Sequence, residues 1–87
     1  MTFVNLELLR IEIDKIDRKM MELFKKRMNV SQQIGLYKKA NQLPVLDEKR
    51  EKELLEKRRI EFNDDKQWPL YESFIKEMMH LSKANQK

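Results

Sequence analysis

Apolar residues recur every three or four positions along the first half of the chain, which is the spacing of one face of an α-helix. The series runs through Leu6, Leu9, Ile13, Ile16, Met20, Leu23, Val30, Ile34 and Tyr37. Because no proline interrupts it before Pro44, the pattern predicts one long helix over about residues 6–40. Asn5 is placed to cap its start, and Asn41 to take the left-handed conformation that ends it.

Two shorter helices are predicted in the second half of the chain. Asp47 can cap a helix over about residues 48–61, because its side chain can accept backbone N–H bonds. The polar segment 63–65 is expected to be a loop, and Pro69 fits the first turn of a third helix over about residues 68–85. The stripe of that third helix consists of Tyr71, Phe74, Ile75, Met78, Met79 and Ser82. The sequence therefore predicts an all-α fold of three helices in one small domain.

The first helix is too long for a compact monomer. At about 1.5 Å per residue, residues 6–40 make a rod of roughly 52 Å. A compact globule of 87 residues has a diameter on the order of 30 Å. Because the rod exceeds its own domain, its apolar stripe needs a second chain, and we expect a two-fold homodimer of long antiparallel or crossing helices.

Composition and charge narrow the classes of function. The chain has no cysteine, which excludes disulfides and thiolate metal sites and favours a reducing compartment. No apolar run is long enough to span a membrane, and no signal-peptide pattern is found, so we expect a cytoplasmic protein without a membrane role. The sequence also lacks metal-ligand spacings, a glycine-rich phosphate loop and a nucleophile triad, so no metal and no cofactor is expected. The net charge of +4 is consistent with an anionic partner.

Arg27 breaks the apolar pattern of the first helix and is the first candidate site residue. A guanidinium on this face needs an anion, either a ligand or, as the alternative, an intramolecular carboxylate or a snorkelling position. Lys38 follows 11 residues later, nearly on the same face and about 17 Å along the axis, a gap that two long side chains can close around a small anion. The alternative for Lys38 taken alone is a solvated lysine. Arg10 lies roughly 26 Å before Arg27 and about 100° round the helix. If both arginines bind one ligand, Arg10 must come from the partner subunit.

The start of the second helix carries a further group of charges. Asp47, Arg50 and Glu51 lie at i, i+3 and i+4 and therefore share a face. The alternative interpretation is a helix cap with an exposed ion pair, which contributes little to stability.

Polar residues also continue the stripe of the third helix, where Ser82 and Gln86 follow Met78 at i+4 spacings. Fraying of the helix end is the alternative.

Gly35, in the middle of the first helix, lowers helix stability by about 1 kcal/mol relative to alanine. A close approach of another backbone or of a ligand would explain it, and sequence drift is the alternative. Together these residues suit a small polyanion and chemistry assisted by electrostatics.

In this ordered set of residues the chain resembles the all-helical, type II class of chorismate mutases, over about residues 6–86. The matching stretches are Leu9-Arg10, Ile13-Asp14, Ile16-Asp17, Arg27, Ile34-Gly35, Lys38, Pro44-Val45-Leu46-Asp47, Arg50-Glu51, Leu54-Leu55, Ser82 and Gln86. The resemblance implies an intertwined all-α homodimer with two equivalent sites. It also implies the Claisen rearrangement of chorismate to prephenate, in phenylalanine and tyrosine biosynthesis, without a cofactor or metal.

The resemblance further implies roles for four residues that touch the reacting molecule. Arg27 and Arg10 of the partner subunit would bind the two substrate carboxylates. Lys38 and Gln86 would donate hydrogen bonds to the ether oxygen, where negative charge grows in the transition state.

Four more residues would line the site by the same resemblance. Asp47 and Glu51 would hold the side of the ring that carries the hydroxyl group, and Arg50 and Ser82 would complete the polar lining. Leu46 stands where relatives often carry a basic residue, which affects substrate attraction at the rim.

Two other interpretations use the same sequence features. An isochorismate pyruvate lyase, or another mutase of chorismate derivatives, shares the fold and the cationic residues; Glu51 and Gln86 favour the mutase. A small basic helical module for binding nucleic acid or for dimerisation belongs to a different class. Acidic residues interleave with the basic ones over 48–53, which disfavours a nucleic-acid surface, and a bare dimerisation helix would not explain Arg27.

Overall fold

The computed structural model describes residues 5–86 and consists of three α-helices. They are α1 (Leu6–Ala40), α2 (Glu48–Phe62) and α3 (Trp68–Gln86). The predicted all-α class and three-helix order are confirmed, and the predicted ends lie within one residue of the observed ones. The chain divides into two compact units, with the boundary between Val30 and Ser31.

The first unit contains the N-terminal part of α1. The backbone N–H of Glu7 donates to the side-chain oxygen of Asn5 at 2.8 Å, so the predicted N-cap is confirmed. From Leu6 to Phe24, the large apolar side chains of the helix are 43–62% exposed in the single chain. We call six of them the apolar stripe: Leu6, Leu9, Ile13, Ile16, Met20 and Leu23.

The C-terminal end of α1 belongs to the second unit and closes with two backbone hydrogen bonds. The N–H of Leu43 donates to the carbonyl of Lys38 at 2.7 Å, and that of Gln42 to the carbonyl of Lys39 at 3.3 Å. This is the Schellman pattern, which requires a left-handed residue directly after the C-cap. That residue is Gln42 (φ 57°), so the prediction of Asn41 was wrong by one position. Asn41 is the C-cap, and its side-chain amide donates to the carbonyl of Tyr37 at 2.9 Å.

Helix α2 begins and ends with side chains that suit those positions. The backbone N–H of Arg50 donates to Asp47 Oδ1 at 3.0 Å, which confirms Asp47 as the N-cap. Asn63 ends the helix in the left-handed conformation (φ 51°), and its N–H donates to the carbonyl of Arg59. Leu54 and Leu55 are half-buried, so α2 contributes partly covered side chains to the fold.

Helix α3 supplies the buried apolar residues of the second unit. They are Trp68, Ile75, Met78 and Met79. Phe62 of α2 stacks on Tyr71 with ring centroids 4.8 Å apart, and Trp68 packs against both rings. Phe74 was predicted in the stripe of this helix but is 46% exposed, because it lies at the edge of the aromatic cluster and touches only Tyr71 among the described rings. The core therefore lies along one face of α3.

Among residues 5–86, none of the helices combines the length and the apolar character that crossing a membrane requires.

Candidate functional site

The last described turn of α3 lies against the end of α1 at Gly35. A Cβ atom at this position would lie 2.6 Å from the backbone oxygen of Gln86 and 2.7 Å from its Cα. Such distances do not occur between real Cβ atoms and backbone, so only glycine fits while α3 keeps this position. Of the explanations offered for Gly35, the close approach of another backbone is the one observed. The approach brings the side chain of Gln86 onto the face of α1 that carries Lys38.

Lys38 and Gln86, both predicted as donors to the ether oxygen, are in direct contact. Lys38 Nζ donates to Gln86 Oε1 at 3.0 Å and to the carbonyl of Val45 at 3.0 Å. Lys38 is half-buried, whereas the neighbouring Lys39 is exposed. Because an ammonium has only donors, the Gln86 oxygen must face it and the amide NH₂ must point elsewhere. The contact thus fixes a cation and an oriented amide side by side.

Ser31 is a third member of this group that sequence reasoning missed. Its hydroxyl donates to the backbone oxygen of Ser82 at 2.9 Å, and Gln86 Nε2 approaches the same Oγ at 3.5 Å. The side chains of both serines are buried. Ser31 lies four residues before Gly35 and seven before Lys38, hence on the same helix face. A polar residue at that spacing was the signal that could have found it.

Glu51 forms an ion pair with a residue of α3 that was also missed. Lys83 Nζ lies 2.8 Å from Glu51 Oε1, and the two side chains are 30% and 28% exposed. Sequence reasoning offered an exposed ion pair within α2 as the alternative role of Glu51. The observed partner lies instead on another helix and adjoins Ser82 in sequence. The Lys83 ammonium is therefore held at the Glu51 carboxylate beside the candidate site.

Asp47 and Arg50 lie at the start of α2, and both are exposed. Asp47 Oδ1 is engaged as the helix cap, so the second carboxylate oxygen is the one that remains for a ligand. Their predicted contact with a substrate stays a prediction.

A shallow groove of about 280 Å³ lies beside these residues. It is lined by Val45, Leu46, His80, Lys83 and Ala84. Val45 and Lys83 connect it to the group described above, since one binds Lys38 through its carbonyl and the other pairs with Glu51. Leu46, the residue that departs from the basic type expected in relatives, is therefore part of an apolar wall.

The two predicted arginines belong to the first unit. Arg27 is half-buried and Arg10 is exposed in the single chain. Their joint use of one ligand with Lys38 stays a prediction.

The chemistry available at the end of α1 is that of fixed hydrogen-bond donors and charges. Within residues 5–86, no three His, Cys, Asp or Glu side chains are grouped as metal ligands would be. The contacts join the Lys38 ammonium, the oriented Gln86 amide and the buried Ser31 hydroxyl, and a separate contact pairs Glu51 with Lys83. Such donors stabilise negative charge that develops on an oxygen atom without moving a proton to it.

Comparisons with known proteins find a family model and two proteins that this chain resembles. The model of the family described as chorismate mutase type II matches residues 9–87. The chain is 42% identical over 53 residues to the T-protein of Haemophilus influenzae (strain ATCC 51907 / DSM 11121 / KW20 / Rd), a match covering 61% of this chain and 14% of that protein. It thus corresponds to only a small part of that relative. A solved structure of a conserved hypothetical protein from Pyrococcus furiosus is similar over 99% of this chain and 100% of its own, with 38% identity and a TM-score of 0.76.

Proposed function

The chain belongs to the chorismate mutase type II family, and from this premise we propose that it converts chorismate to prephenate. Membership in the family implies isomerase activity. The reaction is a Claisen rearrangement in which a C–O bond breaks while a C–C bond forms, with no covalent intermediate. The observation that carries the proposal is the contact between Lys38 and Gln86, because it assembles two donors suited to one oxygen atom.

Counting hydrogen atoms supports a role for both donors. The Lys38 ammonium has three N–H bonds, and within residues 5–86 two of them are used, by Val45 and Gln86. The Gln86 amide has two N–H bonds, one of which faces Ser31. One hydrogen on each group is therefore left for the ether oxygen of the substrate. Removing one such donor typically costs around 3 kcal/mol, or about two orders of magnitude in rate.

The arginines would select the reactive shape of the substrate. Chorismate is a flexible dianion that rearranges only from a folded, chair-like conformer. Arg27 and Arg10 of the partner subunit would each bind one carboxylate, and a planar guanidinium fork dictates direction as well as charge. Binding energy would then hold the substrate in that conformer, so the entropic part of the activation barrier would be smaller.

The remaining lining residues would hold the ring of the substrate. Glu51 would accept a hydrogen bond from the ring hydroxyl, and its pairing with Lys83 reduces the repulsion between a carboxylate and a dianion. Asp47 would contribute the oxygen that is not used as the helix cap. Arg50 and Ser82 would complete the polar surface.

We further infer a homodimer in which each site uses both chains. The apolar stripe of α1 supports this, because Ile13 is 58% and Leu23 is 62% exposed in the single chain. Side chains of this size at regular spacing are typical of a helix face that another helix covers. Light scattering at low micromolar concentration should report a dimer, and a stable compact monomer would contradict the inference.

A mixing experiment tests whether Arg10 acts in the other subunit's site. Subunits carrying Arg10→Ala and subunits carrying Arg27→Ala should each be inactive alone. Heterodimers should regain part of the activity, because one of their two sites then contains both arginines. Mass spectrometry confirms that heterodimers formed, and failure to regain activity in that sample would count against a shared site.

The experiment that tests the proposed function compares three proteins on chorismate. The wild-type chain should consume chorismate, and Lys38→Ala should lower kcat about 100-fold or more. Lys39→Ala, which removes the same charge from the exposed neighbour, should retain wild-type kcat within about twofold. Equal activity of the Lys38 and Lys39 variants would refute the assigned role.

We place the reaction in the cytoplasm, in keeping with a chain that has no cysteine.

A further inference from the structure

We propose that Ser31 is a positioning residue that holds the Gln86 amide in the one orientation that can donate to the substrate. The inference rests on the proposed function, since it assigns the task of orienting a donor in the same site. Ser31 does not touch the reacting atoms in this scheme, and acts through Gln86.

The hydroxyl of Ser31 has a single hydrogen, and that hydrogen is committed. Oγ donates to the backbone oxygen of Ser82 at 2.9 Å in a buried setting, where Ser31 is 4% exposed. Toward its other neighbour the oxygen can therefore act only as an acceptor. That neighbour is Gln86 Nε2 at 3.5 Å, a long contact of the kind that shortens when a site binds its ligand.

The oxygen end of the Gln86 amide faces a group that can only donate. Lys38 Nζ, which can only donate, lies 3.0 Å from Gln86 Oε1. Rotating the amide by 180° would turn its NH₂ toward an ammonium and its oxygen toward the lone pairs of Ser31. Both contacts would then be repulsive. Lys38 and Ser31 together therefore select one of the two amide orientations.

Gly35 keeps the group close enough for this selection to work. It lies one helical turn after Ser31, and the backbone of Gln86 rests against it at distances that exclude a Cβ atom. Ser31 and Gly35 are also the two buried residues of α1. The amide is thereby held at its backbone, at its oxygen and at its nitrogen.

Loss of the Ser31 hydroxyl would allow the amide to sample orientations that do not donate. A single neutral hydrogen bond sets the scale, so Ser31→Ala should lower kcat about three- to tenfold. KM should change by less than about twofold, because the donor acts when charge develops in the transition state. If Ser31 served only in helix packing, Ser31→Ala would lower the thermal midpoint without lowering kcat at nearly constant KM.

The decisive experiment is a double-mutant cycle of Ser31→Ala and Gln86→Leu, with kcat on chorismate as the readout. We expect Ser31→Ala to have its effect in the wild-type background and almost none once the amide is absent. An equal fold-change in both backgrounds, or no change in either, would overturn the proposal. Ser73→Ala is the matched control, because it removes a serine hydroxyl that donates to a backbone carbonyl elsewhere on α3.

A second readout separates this proposal from the proposed function. In the wild-type protein, the Gln86 side-chain NH₂ resonances, identified by their loss in Gln86→Leu, should show nuclear Overhauser effects to the Ser31 β-hydrogens. They should shift in Ser31→Ala and remain in place in Ser73→Ala. If these signals are absent from the wild-type protein, the orientation is wrong even if Ser31→Ala does not fold. If they are present but chorismate is not consumed, the proposed function fails and the orientation stands.

Discussion

Replacing Gly35 with alanine is the sharpest test of how α1 positions the last turn of α3. The added Cβ would lie 2.6 Å from the oxygen of Gln86, and ordinary contact begins at 3.4 Å. Because the obstacle is backbone, which cannot rotate aside, the last turn of α3 must move by about 0.8 Å. That displacement carries the Gln86 amide away from Lys38.

The expected effect on activity follows from the size of this movement. A misplacement of about 1 Å in a catalytic constellation can cost about 100-fold in rate. We therefore expect Gly35→Ala to lower kcat/KM by about 10- to 100-fold. Stability should change little in comparison, because alanine gains about 1 kcal/mol of helix propensity that offsets part of the steric cost.

The assay measures chorismate consumption and the thermal midpoint on the same preparations. Gln32→Ala is the control, since it also places alanine in α1 but at an exposed position next to Ser31. The control should retain activity within about twofold of wild type. If Gly35→Ala is as active as Gln32→Ala, the account of the close approach between α1 and α3 is wrong.

Two further substitutions test separate parts of the structure. Asp47→Ala should lower the free energy of unfolding by about 1 kcal/mol through loss of the α2 cap, whereas Asp47→Asn should keep the cap. Equal thermal midpoints for the two variants would contradict this prediction. Lys83→Met should raise KM for chorismate severalfold by leaving the charge of Glu51 uncompensated near a dianion. Lys76→Met removes the same charge from a more exposed pair on α3 and should leave KM unchanged, so an equal rise in both variants would indicate a general charge effect.

The helices and their caps could be predicted because the signals are local. The three-to-four-residue spacing of apolar positions fixes α1 within the sequence itself, and Asn5 and Asp47 cap the helices that directly follow them. At the end of α1 only the left-handed residue was misplaced, since it is Gln42 and not Asn41. Two polar residues stand in succession there, and the local pattern does not tell which one is the C-cap and which one is left-handed.

The site could be predicted only where a residue violated its local pattern. Gly35 was found because glycine is unfavourable in the middle of a helix, and Lys38 because it shares a face with Arg27, which breaks the apolar pattern. The structure gives both Gly35 and Lys38 a contact with Gln86. Lys83 carries no such signal, and Ser31 carries only the weak one of a polar residue on the helix face of Gly35 and Lys38. A serine in a helix and a lysine on a polar face are unremarkable until α3 is packed against α1 and α2.

The apolar stripe shows the opposite case, in which the pattern is clear but the single chain leaves the side chains uncovered. Periodicity predicts a covered face over residues 6–23, and these side chains are exposed in the single chain. The proposed homodimer would cover them, and Arg10 is exposed in the same segment.

The central claim is that this chain catalyses the intramolecular rearrangement of chorismate to prephenate. The most direct measurement incubates the purified chain with chorismate, follows the loss of its absorbance and identifies the product by ¹H NMR, with isochorismate run in parallel. Our account predicts that prephenate forms as the sole product from chorismate, with no release of pyruvate. Pyruvate release from isochorismate without any prephenate from chorismate, or no turnover of either compound, would contradict it.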